Sequence, residues 1–169
     1  MILQSENLML RMTKPDDPEL ESLVQNAEEL YNMSEVRLYP EGMPKEIAFR
    51  IEKDGKLIGE VRFKTVKWYN RKGELSIIFK KEFQHKGYGK EVLKTIMRYA
   101  FEKMNLHRLE CEVIDYNEPS KKLVESLGFV LEGRLREGKY SDGKYYDVLR
   151  YGILRNEYEK EYNRINNND

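Results

Sequence analysis

The sequence predicts a mixed α/β domain, and three observations carry that prediction. The run at 74–79, Glu-Leu-Ser-Ile-Ile-Phe, reads as a strand. It leads through a loop holding Gly87 and Gly89 into 91–104, where apolar residues at 92, 93, 96, 97, 100, 101 and 104 form a two-wide stripe at helical period. Second, Asp54-Gly55 separates the strand-like runs 47–53 and 56–67, a strong signal for a two-residue hairpin. Third, Leu109, Cys111 and Val113 alternate with Glu110 and Glu112, the pattern of a half-buried strand.

The remaining elements follow in order. Residues 8–12 read as a first strand. Asp16-Asp17-Pro18 supplies acidic caps with proline in the first helical turn, and Leu20, Leu23, Val24, Ala27, Leu30 and Tyr31 continue at helical spacing. Residues 34–45 hold two prolines and a glycine and read as a loop, whose Arg37 and Tyr39 either pack on the surface or touch a substrate. Trp68 and Tyr69 read as a cover for a hairpin edge or, alternatively, as a stacking platform. Asn117-Glu118-Pro119-Ser120 opens a short helix that ends at Leu127-Gly128, where glycine suits a left-handed cap. Residues 129–139 and 144–155 are strands around Ser141-Asp142-Gly143. The polar, asparagine-rich stretch 156–169 reads as a fraying tail.

Composition bounds the function. A length of 169 residues suits one domain, taken as 1–155, with the tail beyond it. Lys+Arg and Asp+Glu number 30 each, which argues against a general nucleic-acid binder. The first residues lack the basic start and apolar run of a signal peptide, and no apolar run approaches the ~20 residues needed to span a bilayer. The single cysteine, Cys111, excludes an internal disulfide and favours a reducing compartment. The expectation is a cytoplasmic protein with no membrane or nucleic-acid partner; a homodimer is compatible with it. Cys111 reads as a small buried hydrophobe with no histidine beside it, rather than as a nucleophile. His85 and His107 are too far apart in sequence, and too poor in nearby ligands, to predict a metal site.

Between the 74–79 strand and the following helix stands Gln84-His85-Lys86-Gly87-Tyr88-Gly89-Lys90. Glycines let a backbone bend and approach a ligand closely. The amides of such a loop and of the next helical turn converge on one spot, which suits a phosphate. Lys80, Lys81, Lys86 and Lys90 against Glu82 make the segment locally positive. Neither Gly-x-x-x-x-Gly-Lys-Ser/Thr nor Gly-x-Gly-x-x-Gly is present, since Glu91 follows Lys90 and position 92 is Val. From this segment alone, a plain glycine turn and a phosphate loop both stand.

Gln84-x-x-Gly87-x-Gly89 after a strand and before a helix resembles the acetyl-CoA pyrophosphate loop of the GCN5-related N-acetyltransferases (GNAT). Asn117-Glu118-Pro119-Ser120 and Leu127-Gly128-Phe129 follow in that family's order. Glu132-Gly133-Arg134-Leu135-Arg136 and Tyr145-Tyr146-Asp147 resemble the bacterial branch that acetylates ribosomal-protein N-termini and polyamines. The resemblance implies a mixed, mostly antiparallel sheet, flanked by helices and splayed at the cofactor cleft. It implies acetyl-CoA as cosubstrate and a primary amine, a protein N-terminus or polyamine, as acceptor. Ile78 and Phe79 would pair with pantetheine, and an amide near Phe79 would hold the developing oxyanion. Gln84, His85, Lys86, Gly87, Tyr88, Gly89 and Lys90 would hold the pyrophosphate. Asn117 is either a helix cap or a further cofactor contact.

An amine acceptor must lose a proton before it attacks. By the same resemblance Glu74 is the leading base, with Glu60 weaker; Glu74 is otherwise a polar residue at a strand end. Many relatives return a proton to the leaving thiolate from a tyrosine where this chain has Val124, which leaves Ser120 as the alternative donor. Residues 16–36 carry seven acidic residues and no basic one, either a solvated helix face or an acidic rim that attracts a cationic acceptor. A noncatalytic acyl-CoA-binding sensor is the competing functional class.

Overall fold

A computed structural model describes residues 1–4, 6–26, 28, 32 and 40–166. They fall into two compact units, Met1–Tyr39 and Pro40–Asp169. In the first, β1 (Ile2–Gln4) pairs antiparallel with β2 (Met9–Arg11), and β1 was not anticipated from sequence. Helix α1 (Pro18–Asn26) starts where the Asp-Asp-Pro signal put it. The Asp17 carboxylate accepts from the Thr13 hydroxyl at 2.6 Å and from the Glu19 amide at 3.0 Å, satisfying an amide that the helix cannot. Leu30, Tyr31, Arg37 and Tyr39 lie outside the described residues.

The second unit is built on a six-stranded sheet in the order β3-β4-β5-β6-β8-β7. Its strands are β3 (Ile47–Lys53), β4 (Lys56–Lys67), β5 (Lys72–Phe79), β6 (Arg108–Ile114), β7 (Val130–Ser141) and β8 (Lys144–Leu154). Every neighbouring pair is antiparallel except β5 with β6. The Asp54-Gly55 hairpin forms as expected, with φ of 51° and 73°, and positive φ at both turn residues is what matches the twist of the flanking strands. Trp68 takes the structural reading: its indole N–H donates to the Pro44 carbonyl at 2.7 Å and its ring packs on the core.

Helix α2 (Tyr88–Arg98) continues through a π-helical turn at Tyr99–Lys103. Its stripe of Leu93, Ile96, Met97, Ala100 and Phe101 is buried against Val61, Phe63, Val66, Leu75, Leu109, Leu149 and Ile153 of the sheet. Helix α3 (Glu118–Ser126) adds Val124 to the same core. The far sheet face is ionic. Glu110 is paired with Lys72 at 2.9 Å, Arg108 at 2.8 Å and Arg150 at 3.5 Å, and Arg150 also reaches Glu112 at 2.9 Å.

The tail expectation is corrected. Residues Arg155–Asn166 form helix α4. Polar composition hid three devices. The Leu154 amide donates to Glu157 at 2.9 Å, as a helix start requires. The Arg155 guanidinium donates to the carbonyls of Leu106 and Phe101, tying α4 to the end of the π-turn. Tyr158 is 9% exposed and stacks on Phe101 with centroids 4.8 Å apart. Two aromatic rings in contact contribute beyond their buried area.

One irregularity positions everything that follows. The parallel pairing of β5 with β6 runs from Lys72↔Arg108 to Leu75↔Cys111 and stops there. β5 continues to Phe79 and β6 to Ile114, so the sheet opens between them. On its other side β5 stays paired with β4 as far as Gly59↔Phe79.

Candidate active site

At the open end of β5 the chain reverses. The Gln84 side-chain amide donates to the Phe79 carbonyl at 3.0 Å, folding the loop back on the strand end. His85 at φ 57° and Gly87 at φ 83° are both left-handed, and the reversal delivers the chain into α2 at Tyr88, earlier than the apolar stripe alone indicated. The two glycines act differently. Gly87 is needed for its backbone angle, with open space around it. Gly89 sits where packing is tight, since a β-carbon there would lie 3.1 Å from Leu123 Cδ2 on α3. No side chain caps α2, so the amides of its first turn face the loop at the positive end of the helix. Lys80, Lys81, Lys86 and Lys90 are all exposed around it, with Lys86 Nζ 5.5 Å from the centre of the Phe83 ring.

A cavity of about 450 Å³ opens over this loop. Its lining includes Ile78, Phe79, Gln84, His85, Lys86, Gly87, Tyr88, Gly89, Lys90, Asn117 and Ser120, so ten of the expected cofactor residues and Ser120 share one space. Sequence reasoning missed four more: Ile77, Phe83, Pro119 and Leu123. Leu123 had a signal, since it follows Pro119 and Ser120 at helical spacing and so faces the same side. Ile77, Asn117, Ser120 and Leu123 also line a second cavity of about 220 Å³, which fills the opening between β5 and β6.

Asn117 is a helix cap: its Oδ1 accepts from the Ser120 amide at 3.2 Å. Its presence on both cavity walls leaves it able to meet a ligand as well. Ser120 is half-buried at the junction of the two cavities. Glu74 is not on either wall. It is ion-paired with Lys64 at 2.8 Å, and Lys64, on an irregularity in β4, is the member of the pair that reaches the smaller cavity. Glu60 accepts from Arg62 Nε and Nη2, each at 2.9 Å, and that hydrogen bonding keeps its carboxyl below the usual range, a poor arrangement for a base. Cys111 also lines the smaller cavity; burial first, then the nearby Glu74 charge, push its thiol up to about 12. It stays a neutral thiol, in keeping with its reading as a small hydrophobe. No cluster of metal-ligating side chains occurs among the described residues.

An uncapped helix start beside a gap in a mostly antiparallel sheet is the geometry the glycine motif implied. A family model described as "Acetyltransferase (GNAT) domain" matches residues 11–149. The chain belongs to the GNAT acetyltransferase family. A putative ribosomal N-acetyltransferase, YdaF from Bacillus subtilis, is 29% identical over 151 residues, covering 78% of this chain and 82% of that one. The spermidine N(1)-acetyltransferase of Vibrio cholerae is 34% identical over 79 residues, 47% of this chain and 46% of its own length. The chain also spans 54% of an uncharacterized N-acetyltransferase, p20, from Bacillus licheniformis at 30% identity. Among solved structures, a dodecameric spermidine N-acetyltransferase from Vibrio cholerae superposes with a TM-score of 0.66 at 30% identity, over 83% of this chain and 75% of that one. A complex of the Vibrio cholerae enzyme SpeG with manganese ions gives 0.67 at 30% identity, over 85% and 78%. The GNAT architecture and the sheet opening thus agree with the resemblance carried by Gln84-x-x-Gly87-x-Gly89.

Proposed function

We propose that this GNAT protein transfers an acetyl group from acetyl-CoA to a primary amine by direct attack. The observation that carries the reading is the continuity of the two cavities. One is lined by Lys86, Lys90 and the start of α2, the other lies in the sheet opening, and Asn117 and Ser120 belong to both. The cosubstrate's phosphates fit the first, because uncapped amides and the helix dipole favour anions there. Its pantetheine arm then follows the edge of β5 at Ile77, Ile78 and Phe79, which β6 leaves unpaired beyond Leu75. When bound, acetyl-CoA supplies the activated acyl group; the chain supplies position and proton management.

Glu74 takes the proton of the acceptor ammonium through water from beside Lys64, and the Ser120 hydroxyl returns one to the departing thiolate. The acceptor is a protein N-terminus or a polyamine-like cation, in line with what YdaF and the Vibrio cholerae enzyme are named for. The protein works in the cytoplasm and as more than one copy. Edge strand β7 exposes Val130, Leu131 and Leu135, large apolar residues that an unpartnered edge seldom keeps. A noncatalytic acyl-CoA sensor is the second reading, favoured by Val124, which brings no hydroxyl to the smaller cavity, and by the position of Glu74 off its wall.

The test is acetyl-CoA turnover with a panel of amines, with mass spectrometry of the products. Acetylated amine supports transfer. Tight acetyl-CoA binding without turnover on any amine favours the sensor.

A further inference from the structure

Lysines line both cavities, and they stand in different company. Lys86 and Lys90 lie over the loop beside the start of α2, at the end that favours anions. Lys64 lines the smaller cavity, in the sheet opening, where the irregular register between Phe63 and Thr65 places it. Its Nζ meets the Glu74 carboxylate at 2.8 Å. The Lys64 side chain is 41% exposed and that of Glu74 21%, so the amine is accessible while the carboxylate is held behind it. Cys111, on the wall of the same cavity, feels both charges: after burial, Glu74 raises its thiol and Lys64 lowers it. The pair therefore acts on the space inside the opening as well as on the surface. An amine and a carboxylate within about 2.6–3.2 Å of each other are a nucleophile with its own base. Every part that acyl transfer asks of an amine acceptor is thus already present in the chain.

We propose that Lys64 is a self-modification site: in the absence of an outside amine, the protein acetylates its own Lys64 Nζ from acetyl-CoA, with Glu74 as the base. This rests on the acyl-CoA reading above and adds an acceptor within the chain. A lysine ammonium, with an ordinary pKa of about 10.4, must first give up a proton, and Glu74 is in place to take it. Nζ then attacks the thioester carbonyl carbon. The carbon–sulfur bond breaks and the carbon–nitrogen bond forms. Of the two protons that Nζ loses, one passes through Glu74 to water and the other ends on the thiol of free CoA. Nothing is oxidised or reduced. The product amide carries no charge, so the ion pair is lost and Glu74 is left free to meet an ammonium from outside.

The test is incubation of the whole protein with acetyl-CoA and no amine acceptor, with peptide mass spectrometry to map and time each acetyl-lysine. Two lysines serve as internal standards for plain chemical acetylation: Lys56, which is exposed, and Lys53, which is exposed and paired with Asp54 at 3.7 Å. Lys64 should be labelled at least about tenfold faster than either, at a rate that saturates with acetyl-CoA and rises with pH. Glu74→Gln separates base from ion pair. Releasing a lysine from a carboxylate that merely holds it leaves it as reactive or more so, whereas losing its base should slow labelling of Lys64 by about tenfold or more. Should Glu74→Gln misfold, the wild-type rates decide alone. If calorimetry shows acetyl-CoA bound, yet Lys64 is labelled no faster than Lys53 or in simple proportion to acetyl-CoA, self-modification is overturned and transfer to an outside amine stands. Failure of acetyl-CoA to bind overturns both.

Discussion

Gly89 and Leu123 meet across α2 and α3 so closely that a β-carbon would sit 3.1 Å from Leu123 Cδ2, and the leucine would have to give by a few tenths of an ångström to admit it. The contact joins the helix whose first turn lines the loop cavity to the helix that carries Asn117 and Ser120. Gly89→Val therefore pries the two walls of the loop cavity apart. Overpacking of this kind costs about 1–3 kcal/mol. The folded variant should lose at least about tenfold in acetyl-CoA affinity by calorimetry. Gly87→Ala meets no atom within 4 Å, and its cost, about 1–2 kcal/mol, comes from φ of 83° alone. An unchanged affinity in folded Gly89→Val would remove the loop from the binding site.

The Lys64–Glu74 pair at 2.8 Å gives the second prediction. In the proposed role of base through water, Glu74 would matter to turnover and not to phosphate binding. Glu74→Gln should lower kcat by about 10²-fold or more while acetyl-CoA affinity stays within about twofold. Acetyl transfer should also rise with pH as the amine acceptor deprotonates. A Glu74→Gln enzyme with wild-type turnover returns the residue to a structural ion pair at a strand end.

Much of this site was legible in the sequence, and the reasons are local. The glycine loop declares itself because positive φ and close packing each select one residue type, at Gly87 and Gly89 respectively. Asp54-Gly55 is legible for the same reason. What stayed hidden depends on distant residues. The sheet opens because pairing ends at Leu75↔Cys111, a relation between segments far apart in sequence. Lys64 lines the cavity because of an irregular register in β4, which no periodicity reveals. Helix α4 was lost because Tyr158 and Arg155 find a partner in Phe101 on the π-turn at Tyr99–Lys103, not in their own segment.

Helix α4 supplies a third prediction. Tyr158→Ala removes the ring stacked on Phe101 and opens a void in the core. Large-to-small aromatic changes cost about 3–5 kcal/mol, and a lower melting temperature should accompany it. Arg155→Ala, which frees the Leu106 and Phe101 carbonyls, should cost about 1–3 kcal/mol. A chain cut after Leu154 that melted like the whole protein would restore the reading of a dispensable tail.

Acid stability should report on Glu110. Burial opposes its charge, but Arg108 and Lys72 together hold its carboxyl below the usual range. A depressed carboxyl contributes stability that is complete above the unfolded value, about 4.3, and is lost as pH falls through the folded one. Melting temperature should therefore drop below about pH 4.3 in the wild type. Glu110→Gln should be less stable at pH 7 by about 1–3 kcal/mol and should lose less on acidification. Parallel melting curves for the two proteins from pH 7 to pH 3 would show that the network of Lys72, Arg108 and Arg150 is indifferent to this charge.

The last prediction concerns the acceptor. On the ionic face of the sheet the carboxylates are already matched, Glu74 by Lys64, Glu110 by Lys72 and Arg108, Glu112 by Arg150. If the proposed acceptor is a cationic amine, the candidate for attracting it is residues 16–36, which hold seven carboxylates with no Lys or Arg. Asp17 is committed to the start of α1 through Thr13 and the Glu19 amide, so it should be spared in any test. Glu28, Glu29 and Glu35 are the set to neutralise, although Glu29 and Glu35 lie outside the described residues. A surplus of one sign raises the local concentration of opposite charges and speeds their arrival. The triple Gln variant should raise KM for spermidine or a basic N-terminal peptide several-fold and leave acetyl-CoA binding unchanged. The wild-type preference for such acceptors over a neutral amine should fade with salt, because exposed charges are screened over about 8 Å at physiological ionic strength. Equal KM values for charged and neutral amines across a salt series would make the segment a solvated outer face, and the acceptor would then be chosen by shape at the rim of the sheet opening.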